Sequence, residues 1–354
     1  MDAVQLRRFC IAGRRKHDRR AFYAAAAVKI QHSCRSMEDD VNIQKNQIFT
    51  VKITDMGTDG EGIGHLEDSG ALSGNGYTLF VKDAVLGDTV RAKVVKPKKG
   101  YAFARLEEVL EPSPDRVEPV CAYARQCGGC QLQAVSYEKQ LAFKDRKVKN
   151  NLIRIGGFAP DFVEEIMEAP VGMEHPFHYR NKAQFPVGMD KNGRLIAGFY
   201  AGRTHTIIEN RDCALGVAEN KIVLDIVLDF CTEKKIPAYD ETTGKGLLRH
   251  VLIRKGFSTG QIMVCLILNG SSFAAEQELA DRLFEKVPGM TSFSVNSNTE
   301  RTNVIMGKPG RSAGKTALRT RSAGLFSQFH PSPFIRSIRF RRKIFTVRRF
   351  LMQD

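Results

Sequence analysis

Ile48–Thr54 and Ala102–Leu110 alternate apolar with polar residues, and Thr78–Val81 and Thr89–Val95 are β-branched. A period of two with β-branching predicts short strands. The glycine-rich stretches Met56–Gly64 and Ser69–Gly76 separate these runs and read as turns. The pattern predicts a small antiparallel, all-β barrel over residues 42–110. Glu111–Pro119, with three prolines in nine residues, reads as a linker. Ser136–Ile155 has helical spacing, with Leu141, Val148, Leu152 and Ile155 on one face, Ser136 placed to cap it and Gly156–Gly157 to stop it. Farther on, Leu195–Tyr200, Thr206–Ile208, Val251–Arg254 and Gln261–Leu268 read as strands, and Val217–Thr232 and Phe273–Val287 as helices. Residues 172–307 are therefore expected to form an α+β domain.

Charge changes this picture only at the ends. Of the formal net charge of +15 over 354 residues, residues 1–36 carry +7, residues 308–354 carry +11, and the remainder is −3. A basic balance points to nucleic acid when it belongs to a folded domain. Residues 1–41 read instead as a basic leader outside the fold, with no secretory apolar core. Gly310–Thr316 imitates a phosphate loop, but Pro309 stands where that loop needs glycine. Residues 308–354 lack useful periodicity, and a one-base shift of back-translated Pro331–Phe345 gives L-S-F-Y-Q-V-N-P, more protein-like than the residues present. The expectation is an aberrant, frameshifted tail. No apolar run reaches 18 residues, so a cytoplasmic chain with no membrane partner is expected; nothing implies a protein partner.

Eight cysteines change the picture again. Without a signal peptide, disulfides are not expected. Cys121, Cys127 and Cys130 form C-x5-C-G-G-C, three thiols within ten residues with glycines that let the backbone wrap close. Cys213, in the polar loop after a strand, is the candidate fourth ligand. Spacing favours a [4Fe-4S] cluster, with zinc as the alternative, since structural zinc sites more often use two knuckles. Cys231 and Cys265 lie in apolar runs and read as core residues.

With these residues in view, the chain resembles the S-adenosylmethionine-dependent RNA uracil-5-methyltransferases that act on 23S rRNA. MGTDGEGIG at Met56–Gly64 and VLGDTVRAKVV at Val85–Val95 resemble that family's TRAM domain, an oligonucleotide-fold RNA binder. C-x5-CGGC with a distant cysteine is similar to its iron–sulfur site. His178–Val187, Gly198–Thr204, Leu248–Arg254 and Ser294–Gly307 resemble its central domain. The resemblance covers residues 42–307 and implies the multidomain order barrel, iron–sulfur segment over residues 119–157, then central domain. It implies methylation of uridine C5 in ribosomal RNA through a covalent cysteine adduct at C6. S-adenosylmethionine is the donor in full-length members. None of the cysteines present matches the catalytic one, so the expectation is a chain lacking the C-terminal Rossmann-like methyltransferase domain and catalytically incompetent.

Two groups are candidates for RNA contact. Lys96, Lys98, Lys99, Tyr101, Phe103 and Arg105 mix cations with aromatics at the end of the barrel, the combination that tracks phosphate and stacks on unpaired bases. Arg180, Asn181, Lys182 and Gln184 lie in the HYRNKAQFPV segment. An RNA-binding protein with a genuine basic arm, and a non-functional gene product, are the alternative readings.

Overall fold

The computed structural model describes residues 43–66, 76–314, 318–322 and 325–329; the basic leader and the end of the tail lie outside the described residues. Among the described residues no helix is long and apolar enough to cross a membrane.

Five strands, β1 (Ile48–Met56), β2 (Gly62–Leu66), β3 (Tyr77–Lys82), β4 (Thr89–Lys98) and β5 (Tyr101–Glu111), close into a barrel in the order β1-β2-β3-β5-β4. The alternation does what a period of two must: Val51, Ile53, Leu79, Val81, Val90, Ala92, Val94, Ala102 and Ala104 fill the interior. β2 was hidden in a glycine-rich stretch that reads as a turn. Its glycines are needed by packing, because a Cβ on Gly64 would lie 2.4 Å from Val51 Cγ2. Burial of Asp88 ties the barrel to the linker. Its carboxylate accepts from the backbone N–H groups of Val85 and Ser113 and from the Arg116 guanidinium.

The helix forms as α1 (Tyr137–Arg154), but the expected buried face does not. No α1 residue is buried, Val148 and Ile155 are exposed, and Ser136 makes no side-chain cap bond. A short helix, α2 (Pro160–Ile166), follows with Pro160 in its first turn.

The central domain is a seven-stranded mixed sheet, ordered β12-β11-β10-β9-β6-β7-β8. Its strands are β6 (Lys182–Met189), β7 (Leu195–Tyr200), β8 (Ile207–Glu209), β9 (Leu248–Lys255), β10 (Ile262–Leu268), β11 (Met290–Ser297) and β12 (Lys308–Gly314). Two helices, α3 (Glu219–Glu233) and α4 (Glu276–Lys286), supply the core with Val223, Leu224, Val227, Leu279 and Leu283, packed with Phe185, Val251, Val264 and Phe293. Leu252, Cys265 and Ile267 form a smaller cluster, with Ile305 and Met306 packed against it.

The expected fold class needs correction at its C-terminal boundary. Residues 308–354 were expected to lack regular structure. Instead β12 pairs antiparallel with β11, from Ser297 opposite Lys308 to Ser292 opposite Gly314, and extends the sheet. A hairpin of β13 (Leu318–Ser322) and β14 (Leu325–Phe329) follows.

Candidate RNA-binding face and cysteine site

The outer face of the barrel gathers the first group of predicted residues. In the β4–β5 hairpin Lys98 stands opposite Tyr101 and Lys96 opposite Phe103, so these side chains share a face. Gly100, at φ +84°, allows the tight reversal beside Lys99. The Tyr77 hydroxyl lies 2.8 and 2.6 Å from the carbonyls of Lys98 and Tyr101, its one proton shared between them, fixing this end of the barrel. Tyr101, Phe103 and Phe80 form a triangle of rings, each pair of centroids 5.7 Å apart. Lys96, Lys98, Lys99, Tyr101 and Arg105 are exposed, and Arg105 pairs with Glu107 at 2.8 Å. Arg203 of the central domain reaches over the Phe103 ring, 5.9 Å from its centroid. A cleft of about 470 Å³ lies here between Phe80, Tyr101, Phe103 and Arg203. Sequence reasoning missed Phe80 and Arg203. Phe80 is legible in hindsight as the outward residue of a β-branched run, whereas Arg203 is placed only by tertiary structure.

The second predicted group lies elsewhere. Arg180 stands among the cysteines, where its charge favours the thiolate forms of Cys127, Cys130 and Cys213. Asn181 is buried, with its carbonyl accepting from Lys255 N–H. Lys182 and Gln184 are β6 residues, in register with Arg254 and Leu252. These four residues do not join the barrel patch.

Cys121, Cys127, Cys130 and Cys213 come from two loops that the fold brings together. Cys127 bridges to Ala201, and Gly128 N–H donates to the Tyr200 carbonyl. The glycine is required there, since a Cβ on Gly128 would stand 3.0 Å from Gly202 Cα. The loop after Cys213 is pinned by His178, whose N–H donates to Ala214 O and whose Nδ1 meets Gly216 O at 2.8 Å. Burial pushes the Cys127, Cys130 and Cys213 thiols up, and each feels the charge of another cysteine of the set. Donors face the sulfurs: Gly129 N–H on Cys127 at 3.4 Å, the Leu215 and Gly216 N–H groups on Cys213, and Asn210 Nδ2 3.9 Å from Cys121 Sγ. Among the described residues no three or more such side chains stand in a metal-ligating arrangement. The donor set itself, four thiols with N–H groups on their sulfurs and one guanidinium nearby, fits a group held by thiolates. Cys231 and Cys265 are buried, and burial pushes their thiols up to about 12 and about 11.

Comparison with known proteins points to a family. Residues 43–106 match the TRAM domain. The chain is 40% identical over 272 residues to an uncharacterised RNA methyltransferase of Clostridium tetani, covering 77% of this chain and 56% of that one. It is 42% identical over 265 residues to another of Halalkalibacterium halodurans, covering 75% and 55%. Over the residues matched, this chain is similar to the RNA methyltransferases. The resemblance read from the motifs holds at that level. The chain spans a little over half the length of the relatives it matches.

The fold agrees with that of the Pyrococcus abyssi tRNA (uracil-54, C5)-methyltransferase in complex with S-adenosyl-L-homocysteine, with a TM-score of 0.64 and 22% identity. The match covers 86% of this chain and 64% of that one. It overturns the expected fold class, a chain defined by a missing methyltransferase domain and ending in an unrelated tail. Likeness to that methyltransferase's fold runs through 86% of this chain, so the expected fold class, with its missing domain, is not upheld.

Proposed function

We propose that this protein serves in S-adenosylmethionine-dependent methylation of uridine C5 in ribosomal RNA, with the described residues binding and presenting the RNA. The observation that carries the reading is the barrel patch: three exposed or half-buried rings flanked by Lys96, Lys98, Lys99 and Arg203. Rings stack on unpaired bases and the cations follow phosphates without needing a particular sequence. A uridine must leave its stack before C5 can be reached, so gripping single-stranded neighbours lowers the cost of extrusion.

Methylation at C5 needs a nucleophile at C6, and the described residues do not supply one. The thiols of Cys231 and Cys265 are buried and held protonated. S-adenosylmethionine supplies an electrophilic methyl group when bound. The described crossover β10–α4–β11 joins parallel strands through the loop Asn269–Ala275, which has a single glycine. That loop is not a glycine-rich phosphate cradle of the dinucleotide-binding kind.

The four cysteines, Cys121, Cys127, Cys130 and Cys213, are proposed to hold a [4Fe-4S] cluster. The support is their mutual electrostatic contact and the N–H groups on their sulfurs. There the cluster would cross-link the linker segment to the Cys213 loop and offer electron-transfer chemistry. Zinc fits the same thiols less well, because only one knuckle is present.

Mass spectrometry of nucleosides from 23S rRNA tests the function. Disrupting the gene in its host is expected to remove one 5-methyluridine, and restoring it to return the modification. An unchanged 5-methyluridine content sinks the reading.

A further inference from the structure

A third cleft, apart from the barrel patch and the cysteine site, opens at the β6–β7 side of the central sheet and holds about 700 Å³. That lies within the range of roughly 300–1,000 Å³ common for small-ligand sites. Several of its residues come from the motifs GFYAGRT and LRHVLIR at positions outside the RNA patch: Tyr200, Arg249 and His250.

The chemistry of this cleft is graded from mouth to floor. At the mouth the His205 and Tyr200 rings are stacked, with centroids 5.2 Å apart and planes at 29°. Glu241 holds both: its Oε2 pairs with His205 Nδ1, and its Oε1 accepts from the Tyr200 hydroxyl at 3.3 Å. Burial, followed by the Glu241 charge, pushes the Tyr200 phenol up to about 12, so it stays a donor. Arg249 and His250 are deep, only 5% and 7% exposed. Arg249 lies over the Tyr239 ring and donates through Nη1 to the Asn298 and Glu300 carbonyls, which leaves its Nε without a partner. His250 Nδ1 also lacks a partner. Buried polar atoms are nearly always paired; these two are closed off from solvent on residues that line the cleft, and a ligand with a hydrogen-bonding edge would satisfy them once their side chains turn toward it.

The rim selects among ligands. Asp190, Asp240 and Glu241 outnumber Lys191 around the cleft mouth, and that balance disfavours phosphate there. Arg249 repels a cation at depth. What remains is a neutral, flat, polar ring. A ring carrying two adjacent donors beside an acceptor would give the donors to the Glu241 carboxylate and the acceptor to Arg249 Nε. Among the RNA bases guanine has that edge.

We propose that this cleft accepts one unpaired guanine of the bound RNA, with His205 as its stacking platform and Glu241 as its specificity-determining acceptor. The inference rests on the RNA-binding reading above and adds a base-selective site to a barrel that grips without selection.

The test is fluorescence anisotropy with the full chain, using octauridylate and the same octamer with one central guanosine, adenosine or cytidine. The guanosine octamer is expected to bind roughly tenfold tighter than octauridylate. Glu241→Gln should abolish that ratio and leave octauridylate affinity unchanged. His205→Ala, truncating an exposed side chain and so sparing the core, should abolish it too. Tyr101→Ala, on the barrel, should weaken all octamers and keep the ratio. Equal binding of all four octamers, a preference for another base, or a guanosine preference that survives both Glu241→Gln and His205→Ala overturns the inference while RNA binding stands. Failure to bind any octamer overturns both readings.

Discussion

The Arg116 guanidinium meets the fully buried Asp88 carboxylate at 2.6 Å and donates a second bond to it through Nε at 3.0 Å. Asp88 sits in the turn before β4, and Arg116 in the proline-rich linker. The pair therefore fastens the barrel to the segment that carries Cys121. Arg116 Nη2 also reaches the Asp83 carbonyl at 3.0 Å, while Asp88 holds the Val85 and Ser113 N–H groups. Removing one partner leaves the other buried and uncompensated, a loss of about 3–5 kcal/mol when burial is complete. Arg116 is partly exposed, which places Arg116→Ala near the lower end. Urea unfolding should read a loss of about 3 kcal/mol for Arg116→Ala; a loss within experimental error of zero would show that the linker is held by other interactions.

On the outer barrel face, Tyr101 and Phe103 are predicted to contribute differently from the lysines beside them. Stacking is worth roughly 1–3 kcal/mol per base and depends little on salt. Tyr101→Ala should therefore weaken single-stranded RNA binding by a similar factor at low and moderate salt. Lys96→Ala and Lys98→Ala should each flatten the dependence of log affinity on log salt by somewhat under one unit, about 0.7 for each phosphate that is no longer neutralised. Equilibrium binding across a salt series separates the two. Equal slopes for all variants would mean that the lysines do not meet phosphates.

The parts of this fold legible in the sequence are those where one local rule dominates. Val51 alternates with polar neighbours and Val90 lies in a β-branched run, and their strands were readable from those patterns. β2 was not, because Gly62 and Gly64 are there to let Ile53 and Val51 pack against the strand, and glycine more often signals a turn. α1 was readable as a helix but not as an exposed one, since Leu141 and Val148 have the spacing of a buried stripe. β12 was obscured by Pro309 and Gly310, residues that disfavour strands except at a sheet edge, which is where β12 lies. Cys121, Cys127, Cys130 and Cys213 could be grouped by residue type and spacing, and the fold brings them within electrostatic reach of one another. The guanine cleft was not legible, because Tyr200, Glu241 and His250 are brought together by three separate elements.

His250 gives the chain a specific acid sensitivity. Burial first, and the neighbouring Arg249 charge second, hold its imidazole down to about 4 from the ordinary 6.5. The unfolded chain then binds a proton between those values that the folded chain does not. Stability from this group is complete above pH 6.5 and declines as pH falls from 6.5 towards 4. The full shift is worth on the order of 3 kcal/mol. Denaturation midpoints measured between about pH 7.5 and about 3.5 should fall more steeply for the wild type than for His250→Gln. Parallel pH profiles would assign the acid sensitivity to other groups.

The cysteines differ enough in surroundings for a decisive contrast within one chemistry. Cys213 faces the N–H groups of Leu215 and Gly216, within the electrostatic reach of Cys130 and Arg180. Cys231 packs on α3 against apolar neighbours, with burial the sole cause of its raised thiol. Anaerobic reconstitution with iron and sulfide should therefore give wild-type iron content in Cys231→Ser and a large loss in Cys213→Ser. Gly128→Ala supplies a second, geometric contrast. Its new Cβ would press on Gly202 Cα at 3.0 Å and push Cys127 away from Ala201 without removing any thiol. Iron content in Gly128→Ala should fall between the other two, with the visible absorption of the cluster reduced in proportion. If Cys213→Ser binds as much iron as the wild type, the fourth ligand lies elsewhere. If all variants take up zinc but no iron–sulfide, the site is a zinc knuckle, and the cross-link between linker and Cys213 loop has no redox chemistry.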